Sequence, residues 1–327
     1  MRYGLIGEKL GHSYSKVIHE KLADYTYDLI PLSREEFAPF MKEKNFSAIN
    51  VTIPYKQEVI PYLDELDPLA AEIGAVNTIV NRNGYFVGYN TDFYGFKYML
   101  LHNHIPIQGK KCLVLGNGGT SQTVQAVLKH LGAAEILVVS RKGSEANTSK
   151  DNLSEATLTE TNLTEVNLSE ANSKEANFTE ANFTEANSNK TNLSQDTLSE
   201  ALRIASREHL TKASDMIKMI SYDICYAEHT DAAIIVNTTP LGMYPNLEAS
   251  PLDLTTFAKC EAVVDVIFNP LKTKIALQAE AFGIKAVTGL EMLVAQAKQA
   301  IEYFLDKKLE DALIDQVYQE LFDSLKS

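Results

Sequence analysis

The chain has 327 residues, 45% of them hydrophobic, and carries 30 lysines and arginines against 43 aspartates and glutamates. That length can bury two cores. The formal net charge of −13 argues against nucleic acid or an anionic membrane as the main partner, because both call for basic patches, and no apolar run approaches the length of a membrane span.

The chain enters directly on a strand-like Tyr3-Gly4-Leu5-Ile6-Gly7, without a signal-peptide pattern. Strands are expected at 2–7, 26–31, 47–53, 76–81 and 85–89, and helices at 15–25, 34–44, 56–65 and 92–101. Asn83-Gly84 between the last two strands is a tight-hairpin signal. The alternation predicts an α/β domain.

A second domain is expected from near Lys110. Lys111 to Leu115 reads as a short apolar strand, followed by Gly116-Asn117-Gly118-Gly119-Thr120-Ser121 and a helix to Leu131. Ile136 to Val139 is the next strand and ends in Ser140-Arg141-Lys142. This is a βαβ unit with a glycine-rich first turn. Beyond residue 202 the pattern resumes, with strands at 232–237, 262–267 and 285–288 and helices at 272–282, 290–305 and 309–325.

Residues 146–201 interrupt this order with a five-residue repeat. Leu or Phe recurs at 153, 158, 163, 168, 178, 183, 193 and 198, with Ser173 and Ser188 in the gaps. Period five matches neither a helix face nor a strand face. It fits the square coil of pentapeptide-repeat proteins, which the segment resembles; a disordered Ser/Thr/Asn/Glu-rich insertion is the alternative. Residues 145–203 hold eleven acids against four bases, so more than half of the net charge sits there. The insertion is expected in a surface loop after the second strand of the βαβ unit.

Several residues bear chemistry. Pro54 suits the first turn of a helix, which would place Lys56 near a helix N-terminus, where the dipole repels cations and favours loss of a proton. Asp92, in Asn90-Thr91-Asp92, opens another helix as a free carboxylate or as an ordinary cap. Together they suggest an acid/base pair. Ser13 and Ser15 lie beside free helix N–H groups that could hold a carboxylate or phosphate, or Ser15 is simply a cap. Gly116, Gly118 and Gly119 allow close approach of a pyrophosphate to the helix starting near Thr120. At the end of the next strand an acid would bind the ribose 2′-hydroxyl of NAD, whereas Arg141 and Lys142 suit the 2′-phosphate of NADP, or are simply a solvated basic pair. Asn237-Thr238-Thr239-Pro240-Leu241-Gly242-Met243 should lie at the carboxyl edge of its sheet. Gln296 is either a site residue or a solvated position. The three cysteines, Cys112, Cys225 and Cys260, are too dispersed for a metal or redox pair, and Cys112 is expected to be a buried, inert thiol. The reading is of a reducing, cytoplasmic enzyme.

The ordered set Gly-His-Ser-Tyr-Ser (11–15), Asn-Val-Thr-Ile-Pro-Tyr-Lys (50–56), Gly-Ala-Val-Asn-Thr (74–78), Asn-Thr-Asp (90–92), Gly-Asn-Gly-Gly (116–119), Asn-Thr-Thr-Pro-Leu-Gly-Met (237–243) and Gly-Leu-Glu-Met-Leu-Val-Ala-Gln (289–296) resembles the NADP-dependent shikimate dehydrogenases. The resemblance covers nearly the whole chain outside 143–220. It implies an N-terminal α/β substrate domain (1–104), a doubly wound Rossmann-type nucleotide domain (105–288) interrupted at 146–201, and C-terminal helices (289–327) packing back on the substrate domain. It implies Lys56 and Asp92 as the catalytic pair. Ser13 and Ser15 would hold the substrate carboxylate, and Thr52, Asn77, Asp92, Phe268 and Gln296 would surround the ring. Gly116, Asn117, Gly118, Gly119, Thr120, Ser140, Arg141, Val266 and Gly289 would hold NADP(H), with no metal. The reaction implied is reversible reduction of 3-dehydroshikimate to shikimate, in the pathway to aromatic amino acids. A quinate/shikimate or aminoshikimate dehydrogenase is the alternative; the repeat insertion as an interaction or assembly module is another. A monomer or homodimer is expected, with self-association or partner binding through 146–201 as a further expectation. Three departures from the family pattern stand out: Phe268 where a tyrosine is usual, Ser140-Arg141-Lys142 where Asn-Arg-Thr is usual, and the insertion just beyond.

Overall fold

A computed structural model describes residues 2–11, 13–141 and 216–326. The repeat insertion, with the choice between solenoid and disorder, lies outside the described residues, as does Lys142.

The first half builds a mixed sheet. Its strands are β1 (Tyr3–Gly7), β2 (Tyr27–Pro31), β3 (Ala48–Val51), β4 (Glu65–Leu66), β5 (Thr78–Arg82) and β6 (Tyr85–Tyr89), in the order β2-β1-β3-β5-β6-β4. β1 runs parallel to β2 and β3, while β5 lies antiparallel to both β3 and β6. The β5–β6 hairpin closes Arg82 on Tyr85 through Asn83 and Gly84, both at positive φ as a tight two-residue turn requires. Helices α1 (Ser15–Leu22), α2 (Arg34–Glu43), α3 (Pro68–Ile73) and α4 (Thr91–His102) complete it. Ser33 and Glu36 form a reciprocal capping box on α2. Asp67 caps α3 through the Leu69 N–H, and Pro68 occupies the first turn.

The second half is an all-parallel sheet of β7 (Lys111–Leu115), β8 (Glu135–Val139), β9 (Ile217–Ile220), β10 (Ile234–Asn237), β11 (Ala262–Asp265) and β12 (Lys285–Thr288). The order is β12-β11-β10-β7-β8-β9, the doubly wound arrangement in which the direction of strand addition reverses between β7 and β10. α5 (Gly119–His130) follows β7, α6 (Tyr222–Glu228) follows β9 and α7 (Lys274–Ala281) precedes β12. The central strands read as continuous apolar runs because both faces are covered. Alternate residues accordingly feed two separate cores, Cys112 and Val114 one of them and Leu113 and Leu115 the other. β8 pairs with β9 from Ile136 opposite Ile217 to Val139 opposite Ile220, so the long intervening segment leaves and re-enters the sheet in register.

α8 (Leu290–Leu305) then packs against α4, α1 and α9 (Ala312–Lys326), and also touches β5. Ile18, Leu290, Val294, Ile301, Ile314 and Val317 form the shared core of this bundle. At the α4–α8 crossing Gly95 faces the Met292 carbonyl, where a Cβ would lie 2.5 Å from the oxygen, so only glycine permits that approach. Among the described residues, no helix is long and apolar enough to cross a membrane.

One expectation fails here. The helix anticipated at 56–65 is absent: residues 53–59 form successive turns, followed by a 3₁₀ segment at Ile60–Tyr62. The apolar spacing of Tyr55 and Val59 mimics a helix, yet both are fully buried anchors of the turns. Tyr55 stacks on Phe37 and its hydroxyl donates to the Leu32 carbonyl at 2.7 Å. The dipole argument for Lys56 therefore falls away. α3, β4, β9 and α6 were not anticipated; each has seven residues or fewer, too short for a periodicity signal.

Candidate active site

The turn after β3 points Lys56 at α4. Its backbone is held from behind by the Val76 N–H, which donates to the Lys56 carbonyl at 2.8 Å. Its Nζ donates to Asp92 Oδ2 at 2.6 Å, with side-chain exposures of 20% and 8%, so the pair is largely shielded from water yet reachable. Asp92 is not the cap of α4. Asn90 does that work, accepting from the Phe93 N–H at 3.2 Å while its own amide donates to the Ala75 carbonyl. The Asp92 carboxylate is thereby left for Lys56.

A lattice of uncharged hydrogen bonds fixes the floor beside the pair. Asn77 Oδ1 accepts from the Thr91 N–H at 2.7 Å, and Asn77 Nδ2 donates to Thr91 Oγ1 at 3.0 Å. Asn50 donates to the Asn77 carbonyl and to Thr78 Oγ1, and accepts from the Tyr27 hydroxyl at 2.7 Å. Tyr27 stacks on His19, which burial holds near pKa 3 and hence neutral.

Lys56, Asp92, Asn50, Asn77, Thr91 and His19 line one cavity of about 470 Å³, and it gathers every catalytic and ring-contacting residue anticipated from sequence: Ser13, Ser15, Thr52, Lys56, Asn77, Asp92, Phe268 and Gln296. Ser13 Oγ accepts from the Ser15 N–H at 3.3 Å, and Ser15 is the first residue of α1 rather than its cap. Phe268, just beyond β11, packs edge-on against Tyr14 with ring centroids 5.6 Å apart. Gln296 Oε1 is buried without a hydrogen-bond partner among the described residues. Such an orphan acceptor is costly unless a ligand supplies the donor. Asn50, Thr91, His19, Lys9 and Met243 line the same cavity without having been singled out individually as ligand contacts. Asn50, Thr91 and Met243 do fall inside the motifs already quoted; Lys9 and His19 carry no such signal.

The second sheet offers a different surface. Gly116 takes φ 104°, and a Cβ there would stand 3.0 Å from Thr238 Oγ1, so the turn needs glycine on both counts. Thr238 clamps the same turn, its hydroxyl donating to the Leu115 carbonyl at 2.7 Å. Gly118 is the N-cap of α5, and neither Gly118 nor Gly119 has an atom within 4 Å of a Cβ position. The N–H groups of α5 thus open onto free space at the point where strand order reverses, the usual seat of a dinucleotide. Asn117 and Thr120 flank this turn; Arg141 is exposed after β8, while Ser140 Oγ is buried without a hydrogen-bond partner among the described residues. The Gly289 N–H donates to the Ile267 carbonyl at 2.9 Å beside Val266. Asn237 and Asp265 tie the ends of β10 and β11 at 3.1 Å. None of these groups lines the Lys56 cavity. An open glycine turn, an orphan hydroxyl and an exposed arginine at the strand end fit a phosphorylated dinucleotide.

A doubly wound parallel sheet with an open glycine turn, beside a cleft holding a lysine–carboxylate pair, defines a nicotinamide-nucleotide type of oxidoreductase. Comparison with known proteins narrows the class. The profile of the shikimate dehydrogenase substrate binding domain matches residues 5–79, and pentapeptide repeats match 152–187 and 161–195. The shikimate dehydrogenase (NADP(+)) of Clostridium beijerinckii is 31% identical over 324 residues, covering 97% of this chain and 96% of its own. A chorismate mutase/shikimate 5-dehydrogenase fusion protein from Clostridium acetobutylicum superposes with a TM-score of 0.75 at 31% identity, covering 99% of this chain and 98% of its own. Shikimate dehydrogenase 1 from Peptoclostridium difficile gives a TM-score of 0.72 at 28% identity, with 99% of each chain covered. The chain belongs to the NADP-dependent shikimate dehydrogenase family.

Proposed function

We propose that this protein catalyses the reversible, NADPH-dependent reduction of 3-dehydroshikimate to shikimate. The observation that carries the reading is the convergence of eight motif residues on one cavity around the Lys56–Asp92 pair. Ser13 and Ser15 hold the substrate carboxylate at one end. Thr52, Asn77 and Gln296 take the ring hydroxyls, and the orphan Gln296 Oε1 gains its donor there. Gly116 to Thr120 cradle the pyrophosphate, Ser140 and Arg141 receive the 2′-phosphate, and Val266 and Gly289 border the nicotinamide. When bound, NADPH supplies the hydride for the ring ketone. Lys56 Nζ donates a proton to the oxygen that becomes the alkoxide and takes it back in the reverse direction. Asp92 orients that ammonium and accepts from a ring hydroxyl. Phe268 contributes an apolar wall. The substrate part spans residues 1–104, the nucleotide part 105–288, and helices 289–327 close on the former.

Rates with shikimate and quinate, each measured with NADP and NAD, test the assignment. Shikimate with NADP should be the fastest combination. A quinate rate equal to or above that of shikimate would transfer the protein to the quinate/shikimate reading.

A further inference from the structure

The molecule has a second cavity of about 470 Å³, with no lining residue in common with the first. Three helices meet there, and each contributes one group: His102 ends α4, Glu291 sits in the first turn of α8 and Asp315 lies on α9. Their ligand atoms all lie within 4.8 Å of one another.

The imidazole stands between two carboxylates that it touches in different ways. Its Nδ1 is hydrogen-bonded to Glu291 Oε1, and Asn103 Nδ2 holds the other Glu291 oxygen at 2.5 Å. Its Nε2 faces Asp315 Oδ1 at 3.9 Å, too far for a hydrogen bond. Among the described residues, Asp315 is the group placed against Nε2, at ion-pair distance. Neither carboxylate pairs with a lysine or arginine there either: Lys272 is taken by Glu280 at 2.7 Å and Lys285 by the Asn103 carbonyl. The cluster therefore carries excess negative charge. A carboxylate on one ring nitrogen with the other left open is the outer-sphere arrangement that orients metal-binding histidines. Two donor atoms 3.9 Å apart leave room for a cation about 2.1 Å from each.

We propose that His102 Nε2 and Asp315 bind a first-row divalent cation of the zinc and cobalt type, with Glu291 orienting the imidazole and water from the cavity completing the shell. One nitrogen and one carboxylate oxygen suit such ions better than magnesium or calcium, which favour all-oxygen sites. The site is separate from the Lys56 cleft and plays no part in the proton transfer.

The test is a titration of chelator-stripped full-length protein with Co²⁺, followed by visible absorption and by competition with Zn²⁺. Wild type should bind one equivalent, and His102→Ala and Asp315→Asn should each weaken binding by roughly tenfold or more. Asp315 is 60% exposed, so Asp315→Asn remains informative if His102→Ala fails to fold. Affinity unchanged in Asp315→Asn, or no binding by wild type at millimolar cobalt, would overturn the proposal.

Discussion

The two halves of the molecule present ligand-facing groups in opposite currencies. The first sheet offers side chains: Lys56, Asp92, Asn77 and Thr52 project from turns and strand ends over a hydrogen-bonded floor. The second offers mainly backbone, with glycines and helix N–H groups around an open turn and one exposed arginine beside it. Side chains can be tuned to one ring and one proton, whereas backbone amides recognise any pyrophosphate. Changes in the first half should therefore alter chemistry and substrate choice, and changes in the second should alter cofactor affinity with the chemistry intact.

The largest effect should come from Lys56→Ala. Turnover should fall about 10²- to 10⁴-fold, the usual worth of a positioned proton donor, while shikimate binding by calorimetry persists; near-normal turnover would erase the distinction between the halves. Gln296→Leu should raise the KM for shikimate about tenfold, the loss of one good hydrogen bond, and leave the KM for NADP alone. A shift in both constants would mean that the cavity and the nucleotide turn are not separable. Arg141→Asp should raise the KM for NADP roughly tenfold through loss of a charge-assisted contact without changing the rate at saturation. An unchanged NADP/NAD ratio would place the 2′-phosphate elsewhere.

A pH dependence of stability probes the floor of the first half. His19 has its folded pKa lowered by burial to about 3 from 6.5, so the unfolded chain takes up a proton that the folded chain refuses. The stability tied to this group is complete above pH 6.5 and is lost as pH falls toward 3, at up to about 1.4 kcal/mol per unit. Denaturant melts at several pH values should show this slope, and His19→Gln should flatten it. Among the described residues the second half has no matching buried histidine, but its three cysteines are buried and held at about 11 to 12 by burial. Ellman titration of native protein should find them essentially unreactive at pH 8; rapid labelling of any one would show that the parallel sheet opens.

Much of the candidate site was legible because its residues are concentrated in short ordered motifs, and those expected around the ring line one cavity. The route to Lys56 was misread. Tyr55 and Val59 have helical spacing, but Tyr55 is anchored by Phe37 and the Leu32 carbonyl, contacts roughly twenty residues away in the chain, which no local pattern encodes. Asp92 has the sequence position of a cap, but Asn90, two residues earlier, is the cap of α4. β9 and α6 went unseen because four- and seven-residue elements just after the repeat offer no period to detect. The glycine turn was readable because positive φ at Gly116 is a constraint that sequence expresses directly.

The crossing of α4 and α8 at Gly95 also sets the mechanics of the molecule. The backbone passes from the first sheet to the second after α4 and returns before α8, and those two helices are locked together. Two bodies joined by a pair of neighbouring tethers can swing about the line between them but cannot swivel freely. Lys56, Asp92, Asn77 and Gln296 all ride on the same side of that axis, whereas Phe268 and Met243 come from the other. A swing would bring an apolar wall toward or away from the ring while leaving the proton-handling geometry unchanged.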